Sequence, residues 1–429
     1  MKKCPTRGAE GSRSMARIVC WGTLLALLIA METASAAGPI SSESIQDALK
    51  GDWGQVTFDL RYRFEHVEQD GIQSTSGDPI RLRLGYLTPV WYSLQAFAEF
   101  EGNTPVFEDD YNDTTNGKTE YAVIADPSEG ELNQGWLALT AIPDTVIKGG
   151  RQRINLDNQR FIGAVGWRQM EQTFDAVNLL STSLENFSAN ASFVWNVRTI
   201  ASKDVNMLSP LLNLAYVFED IGTLTGYGYL LDYDDPDDSG PFEYAFSTQT
   251  YGLRFNGSRA VREESLALLY TAEYAYQSDY QDNPEDYSAD YFHFIGGLSA
   301  PNSDSFLTNI SGKIGYELLG SDSGVSLKTP LGTNHGFNGW ADQFLTVPPE
   351  GLQDFYGMLG ATIAGIKVDL IYHDFESDAG SSDYGSEFDA MLTKKFGKNY
   401  TLLAKYANYD ADEFKADVEK FWIQFTVAY

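Results

Sequence analysis

Apolar and polar side chains alternate residue by residue over many short segments of the chain. In VTFDLRYRFE, which begins at Val56, every second residue is apolar or aromatic, and the residues between them are Thr, Asp, Arg or Glu. IRLRLGY, which begins at Ile80, and the C-terminal KFWIQFTVAY repeat this pattern. A period of two places the two kinds of side chain on opposite faces of a β-strand. The pattern therefore predicts strands with one apolar and one polar face.

The whole chain is predicted to contain about eighteen such strands, with sixteen as the alternative count. They lie near residues 56–65, 80–87, 92–101, 132–140, 145–153, 173–181, 187–197, 211–218, 224–231, 248–256, 265–276, 290–299, 306–318, 353–363, 366–373, 386–396, 400–409 and 418–429. The connections after even-numbered strands are short and turn-like, as in TPVW, AIPD and GKN. Those after odd-numbered strands are mostly long, as at 102–131, 154–172, 232–247 and 319–352.

The parity of connection lengths distinguishes two classes of all-β protein. Bacterial outer-membrane barrels have an even number of antiparallel strands, short periplasmic turns and long extracellular loops. A secreted soluble β protein, which is the alternative, has no reason to keep its long loops at one end. The sequence therefore predicts an all-β fold, a transmembrane antiparallel β-barrel in which the last strand pairs with the first. Its expected partners are outer-membrane lipid and lipopolysaccharide, and the barrel-assembly machinery, which would bind the C-terminal strand.

The N-terminal residues have the three-part layout of a secretory signal. Basic Arg17 precedes an apolar run from Ile18 to Ala30, and small residues follow at 34–36. The apolar run is shorter than the roughly 20 residues of a membrane-spanning helix. The predicted organisation is a cleaved signal peptide at 1–37, a short periplasmic segment at 38–52 and a barrel at 53–429, located in the outer membrane of a Gram-negative bacterium.

Cysteine usage and charge narrow the possible partners. Cys4 and Cys20 both lie in the predicted signal, so the mature chain would have no disulfide and no thiolate. A formal net charge of −30 argues against nucleic acid as a partner. The predicted loops at 102–131, 232–247, 277–290, 374–387 and 410–417 hold 28 Asp or Glu and two Lys, which indicates a solvated acidic rim. DYDDPDDSG could offer oxygen ligands to calcium but lacks the EF-hand spacing, and no metal or cofactor is predicted.

Arginines cluster on the polar faces of three predicted strands. They are Arg61 and Arg63, Arg81 and Arg83, and Arg151 and Arg153. If the apolar faces meet lipid, all six point into the lumen, because a lipid-facing Arg near the midplane costs about 2–4 kcal/mol. The carboxylates predicted on the same faces are Asp59, Glu65, Glu99 and Asp175. The lumen could therefore be an anion-attracting arginine wall or a salt-bridged structural wall.

The segment GGRQRINLDNQRFIGAVGWRQMEQTFDAV, together with LRYRFE, IRLRLGY and ADPSEGELNQGWLAL, resembles the alginate export family of outer-membrane barrels. The resemblance is strongest over residues 53–200. It implies an eighteen-stranded barrel whose pore is lined by Arg and Lys for the passage of a polyuronate. On the matching motif, Arg151, Arg153, Arg160 and Arg168 would be pore and pore-loop residues.

Three functions remain open from the sequence. The first is a passive outer-membrane channel for an anionic saccharide or another acidic solute, and the second is a general diffusion porin without a dedicated substrate. The third, a barrel enzyme, has the least support, and no catalytic residue is predicted. The four histidines, His66, His293, His335 and His373, are scattered without the spacing of a catalytic triad, and we expect them to be solvated polar residues.

Overall fold

The computed structural model describes residues 42–234, 244–262, 265–301 and 306–429. The predicted signal peptide and the start of the predicted periplasmic segment lie outside the described residues. The chain divides into two units. The first contains helix α1 (Ser42–Ala48), and the second, Leu49–Tyr429, is an antiparallel barrel. Within the described ranges, no helix is both long enough and apolar enough to cross a membrane.

Eighteen long strands form the barrel. They are β1 (Gly54–Gln69), β2 (Pro79–Leu87), β3 (Leu94–Pro105), β4 (Gly130–Leu139), β5 (Thr145–Gln152), β6 (Thr173–Leu184), β7 (Phe187–Arg198), β8 (Asp204–Phe218), β9 (Gly222–Leu231), β10 (Thr248–Arg262), β11 (Leu266–Asp279), β12 (Ser288–Ala300), β13 (Leu307–Leu319), β14 (Leu352–Ile363), β15 (Ile366–Glu376), β16 (Asp383–Phe396), β17 (Tyr400–Ala411) and β18 (Val418–Ala428). Each strand pairs with its sequence neighbours. β18 also pairs with β1, in a register that runs from Gln69 opposite Val418 to Asp59 opposite Ala428. The sheet is therefore closed, and the predicted barrel of eighteen strands is confirmed.

The two faces of the strands reverse the usual arrangement of a water-soluble protein, in which charged residues are rarely fully buried. In β2, Leu84 is 51% exposed, whereas Arg81 is fully buried. An apolar outer surface suits lipid, which cannot hydrogen-bond to polar groups, and closure of the sheet leaves no unpaired strand edge there. The alternation in the sequence thus corresponds to an outward apolar face and an inward polar face.

Connection lengths follow the predicted parity. The connections at the short-turn end span residues 88–93, 140–144, 185–186, 219–221, 263–265, 301–306, 364–365 and 397–399. Those at the long-loop end span 70–78, 106–129, 153–172, 199–203, 232–247, 280–287, 320–351, 377–382 and 412–417. Most of DYDDPDDSG (232–240), the segment with possible oxygen ligands for calcium, lies outside the described residues. In the described part of the chain, no group of three or more His, Cys, Asp or Glu side chains is arranged to hold a metal ion.

Two of the long connections fold into the barrel. Residues 153–172 and 327–347 are mostly buried and contact inward side chains of strands all round the ring; we call these two segments the plug. They are also bonded to each other. The Gly163 N–H donates to the Leu331 carbonyl at 2.8 Å, and the Thr333 N–H donates to the Gln159 carbonyl at 2.8 Å. The plug therefore fills part of the lumen with polypeptide.

Candidate functional site

On one side of the lumen, two arginines share three carboxylates. Arg83 Nε of β2 lies 2.6 Å from Glu101 Oε2, and its Nη1 lies 3.2 Å from Glu171 Oε2. Arg153, at the start of the plug, pairs with Glu99 at 2.7 Å and also with Glu171. A buried ion pair is held in place by the cost of leaving either charge alone. These pairs therefore tie the plug to the wall and leave little free positive charge.

At the centre of the plug, one carboxylate gathers three partners. Asp342 accepts from Arg168 Nη2 at 2.7 Å, from Lys420 Nζ at 3.1 Å and from His335 Nδ1 at 2.6 Å. Arg168 also lies 3.7 Å from Glu65 of β1. Burial alone would raise the pKa of Asp342, but the hydrogen bond from His335 and the ion pairs with Lys420 and Arg168 hold that pKa well below the ordinary value. The carboxylate is therefore ionised and anchors the plug to β18.

An aromatic box next to this carboxylate encloses a lysine. Lys405 Nζ of β17 lies 4.1 Å from the ring centroid of Trp167 and 3.8 Å from that of Trp340, one on each plug segment. It also donates to His335 Nε2 at 2.7 Å, and the His335 ring stacks on Trp167 at 4.5 Å. Burial lowers the pKa of His335 well below its usual value, and Lys405 lowers it further. Cation–π contacts and a neutral imidazole thus join both segments to β17.

The opposite wall holds the plug through Arg160 and Asn338. Arg160 Nε lies 3.0 Å from Glu317 of β13, and its Nη2 donates to Asn338 Oδ1 at 2.7 Å. The Asn338 amide in turn donates to Glu317 at 2.7 Å and to Asp354 of β14 at 3.0 Å. Asp354 also contacts His373 Nδ1 at 2.9 Å. This network fixes the second side of the plug to three strands.

A glycine lets the plug backbone approach two further wall carboxylates. The Ala341 N–H donates to Glu387 at 2.7 Å, and the Trp340 N–H donates to Asp389 at 3.2 Å. Gly339 has a φ of +84°, and a Cβ placed there would lie 2.3 Å from Glu387 Oε2. Only glycine combines this backbone conformation with so close a contact.

Three arginines on β1 and β2 differ in how their charge is balanced. Arg63 lies 3.5 Å from Asp126 and over the Trp167 ring at 4.0 Å, and Arg81 pairs with Asp59. Arg61 Nη1 instead donates to the backbone carbonyls of residues 166, 167 and 168, at 3.1, 3.2 and 3.2 Å. Arg61 makes no ion pair with any residue that the structure describes. It is therefore a lumen cation whose charge is not neutralised by a contacting carboxylate.

Two plug glycines mark open space beside Arg61. A Cβ added at Gly166 or at Gly336 would meet no atom within 4 Å. The two glycines are neighbours in the plug, because Val165 N–H bonds Thr333 Oγ1 at 3.1 Å and Trp167 stacks on His335. The open part of the lumen therefore borders the plug at these glycines.

Comparison with known proteins agrees with this architecture. A sequence model described as "Alginate export" matches residues 52–300, more than half of the chain. The chain belongs to the alginate export family. None of the curated proteins with which it was compared matches it.

Solved outer-membrane proteins have a similar fold. OccAB4 of Acinetobacter baumannii has a TM-score of 0.67 at 14% identity, covering 89% of this chain and 100% of that one. OpdK of Pseudomonas aeruginosa has a TM-score of 0.67 at 11% identity, and OpdQ has 0.65 at 13%; each covers 87% of this chain and 98% of its own. At these identities the likeness shows the fold, that of an outer-membrane channel barrel. The long-loop end of this alginate export family barrel is accordingly the extracellular end.

The structure places most of the predicted pore residues of this family member around the plug. They are Arg61, Arg63, Arg81, Arg83, Arg153, Arg160 and Arg168, with Asp59, Glu65 and Glu99. Arg151 and Asp175 do not join them. They pair with each other at 2.8 Å, and Arg151 pairs with Asp204 at 3.1 Å. Asp175 is two residues from Val177, so both side chains point to the same face of β6. Val177 is 47% exposed, and the ion pair of Arg151 and Asp175 therefore lies on the outer side of the wall.

The sequence did not reveal several central residues. Glu171 and Asp342 lie in connections, where alternation carries no information about direction. Lys405 and Lys420 could have been found, because each has the inward phase of its strand. The histidines were expected to be solvated, but three are buried in the lumen. His293 contacts Tyr356, His335 contacts Asp342, and His373 contacts Asp354.

Proposed function

We propose that this barrel is a passive outer-membrane channel for anionic solutes, either an acidic saccharide or another small organic acid, and that it reaches the outer membrane after loss of its predicted signal peptide. Arg61 carries the proposal, because its guanidinium borders open space at the plug without a contacting carboxylate. A fixed positive charge in a narrow passage is screened less than one on an open surface, so it favours anions.

Two comparisons supply possible cargoes. The family description names alginate, a polyuronate. One solved relative, OpdK of Pseudomonas aeruginosa, is described in complex with vanillate, and it has a TM-score of 0.64 at 13% identity. Both compounds carry carboxylates, which suit a guanidinium. We propose no catalytic role, since the three lumen histidines serve as buried bonding partners.

The extent of ion pairing favours a second candidate, a general diffusion porin. Arg83, Arg153 and Arg168 each contact two carboxylates, so most of the arginine charge at the plug is balanced. A lumen of this kind would create a transverse field without a dedicated substrate.

Ion selectivity in planar bilayers tests the proposal. We expect the purified barrel to prefer chloride over potassium in a salt gradient, and uronate oligomers to reduce its current more than neutral oligosaccharides of the same length. Equal permeability to both ions, with equal block by both oligomers, would favour the general porin instead.

A further inference from the structure

The periplasmic half of the lumen contains a lysine that lacks a carboxylate partner. Lys148 of β5 lies opposite Ala138 and Asn178, one step from Gly149, which is opposite the outward Val177. Lys148 therefore has the inward phase. Its Nζ lies 4.4 Å from the ring centroid of Trp136, and it makes no ion pair with the residues that the structure describes.

Small residues flank Trp136 on one side. Across the strands, Trp136 lies opposite Gly150, which lies opposite Ala176, so neither neighbour carries a long side chain. Gly150 has a φ of +121°, and a Cβ there would lie 2.3 Å from the Gly135 carbonyl oxygen. On its other side, Trp136 packs against Phe97 at 5.5 Å. The result is an aromatic surface with an ammonium next to it.

An apolar recess lies next to Lys148, on the side of the short periplasmic turn at 140–144. Its lining comprises Thr140, Ile142, Pro143, Asp144, Thr145, Val146, Leu180 and Thr182. Val146 lies opposite Leu180, and both have the inward phase of Lys148 and Asn178. Ile142 is 52% exposed and Leu180 is 41% exposed, although neither is on the lipid-facing phase of a strand. Lipid contact therefore does not account for this apolar surface.

We propose that Lys148, Trp136 and this recess form a subsite for a small amphipathic carboxylate that enters from the periplasm. The carboxylate would pair with the Lys148 ammonium, and an aliphatic body would cover Val146, Ile142 and Leu180. Asp144, in the short turn that lines the recess, would repel the carboxylate and so favour binding with the carboxylate at Lys148. The inference deepens the proposed anion channel by adding an apolar body to its cargo.

Three six-carbon probes separate the contributions to binding. Hexanoate has the charge and the apolar body, gluconate has the charge with a hydroxylated body, and hexanol has the body without the charge. Each is added to the periplasmic side of single channels in a planar bilayer, and the half-blocking concentration is measured. We expect hexanoate to block at a concentration at least about tenfold lower than gluconate or hexanol, because each buried methylene strengthens binding by about fourfold.

Variants locate the subsite. Lys148→Gln should raise the half-blocking concentration of hexanoate about tenfold, the usual scale of a lost charge-assisted hydrogen bond, and Lys148→Arg should retain the block. Leu180→Asn should reduce the preference for hexanoate over gluconate. The control is Lys313→Gln, which removes another inward lysine on β13 that has no described ion pair and should change nothing. Heat-modifiable migration on detergent gels verifies that each variant is folded.

Equal block by hexanoate and gluconate, or an unchanged block in folded Lys148→Gln, would overturn the subsite. The chloride preference of the same channels is recorded in parallel. Chloride preference without a hexanoate block removes the subsite and leaves the anion channel. A Lys148-dependent hexanoate block in a channel without chloride preference supports the subsite and contradicts the proposed anion channel.

Discussion

The extracellular and periplasmic halves of the lumen carry similar residues in different arrangements. Around the plug, cations face carboxylates directly, as with Arg83 and Glu101 at 2.6 Å or Arg168 and Asp342 at 2.7 Å. Where the plug meets open space and below it, Arg61 and Lys148 lack such partners among the described residues. A count of lumen arginines therefore overstates the charge available to a solute. Paired cations hold the plug, and unpaired ones act on the passage.

Filling the passage should have the largest effect. Gly166→Trp places an indole in the open space beside Arg61, and we expect it to abolish most of the single-channel conductance. The matched control is Gly357→Trp on β14, where an added Cβ also meets no atom within 4 Å. Gly357 alternates with the exposed Phe355 and Leu359 on the outward face, so the indole there would point away from the lumen. Normal conductance in a folded Gly166→Trp barrel would place the passage elsewhere.

Breaking the central ion pairs should loosen the plug. Arg168→Gln leaves Asp342 and Glu65 buried with less positive charge, at a cost of about 3–5 kcal/mol for a buried pair that loses one partner. We expect larger, noisier conductance and faster proteolysis within residues 153–172. Arg151→Gln is the control, because it also removes an arginine from an ion pair, but its partner Asp175 lies on β6 and not in the plug. If both variants behaved alike, the plug would not depend on this network.

Mild acid should produce a smaller loosening through His335. Burial and Lys405 depress the pKa of this histidine, so its contribution to plug stability is complete above the ordinary histidine pKa of about 6.5 and decreases as the pH falls below that value. The imidazolium would face Lys405 and Arg168, with Asp342 compensating in part. We expect conductance noise to increase between about pH 7 and 5, and His335→Gln to remove this dependence. A pH response unchanged by the substitution would assign it to another group.

The fold could be predicted from the sequence because a barrel repeats one constraint in every strand. The alternation around Arg81 and Leu84 and the parity of the connections both follow from lipid outside and polar groups inside. The pairing in the lumen could not be predicted. Arg83 meets Glu171, which lies in a distant connection whose path alternation does not report. The prediction for Arg151 is wrong because it gives Arg151 the same direction as Arg153. Arg151 continues the outward phase of Gly149, with no register shift, whereas Arg153 lies beyond the end of β5 and belongs to the plug.

The reversal potential of two arginine variants tests most directly whether unpaired charge governs selectivity. Arg61→Gln and Arg83→Gln each remove one lumen guanidinium, but Arg61 has no described carboxylate contact and Arg83 has two. In a potassium chloride gradient near 0.1 M, where the Debye length is about 10 Å, Arg61→Gln should reduce the chloride preference strongly, and the difference should shrink near 1 M. Arg83→Gln, if folded, should change it much less. An unchanged reversal potential in Arg61→Gln, or an equal loss in both variants, would contradict the account.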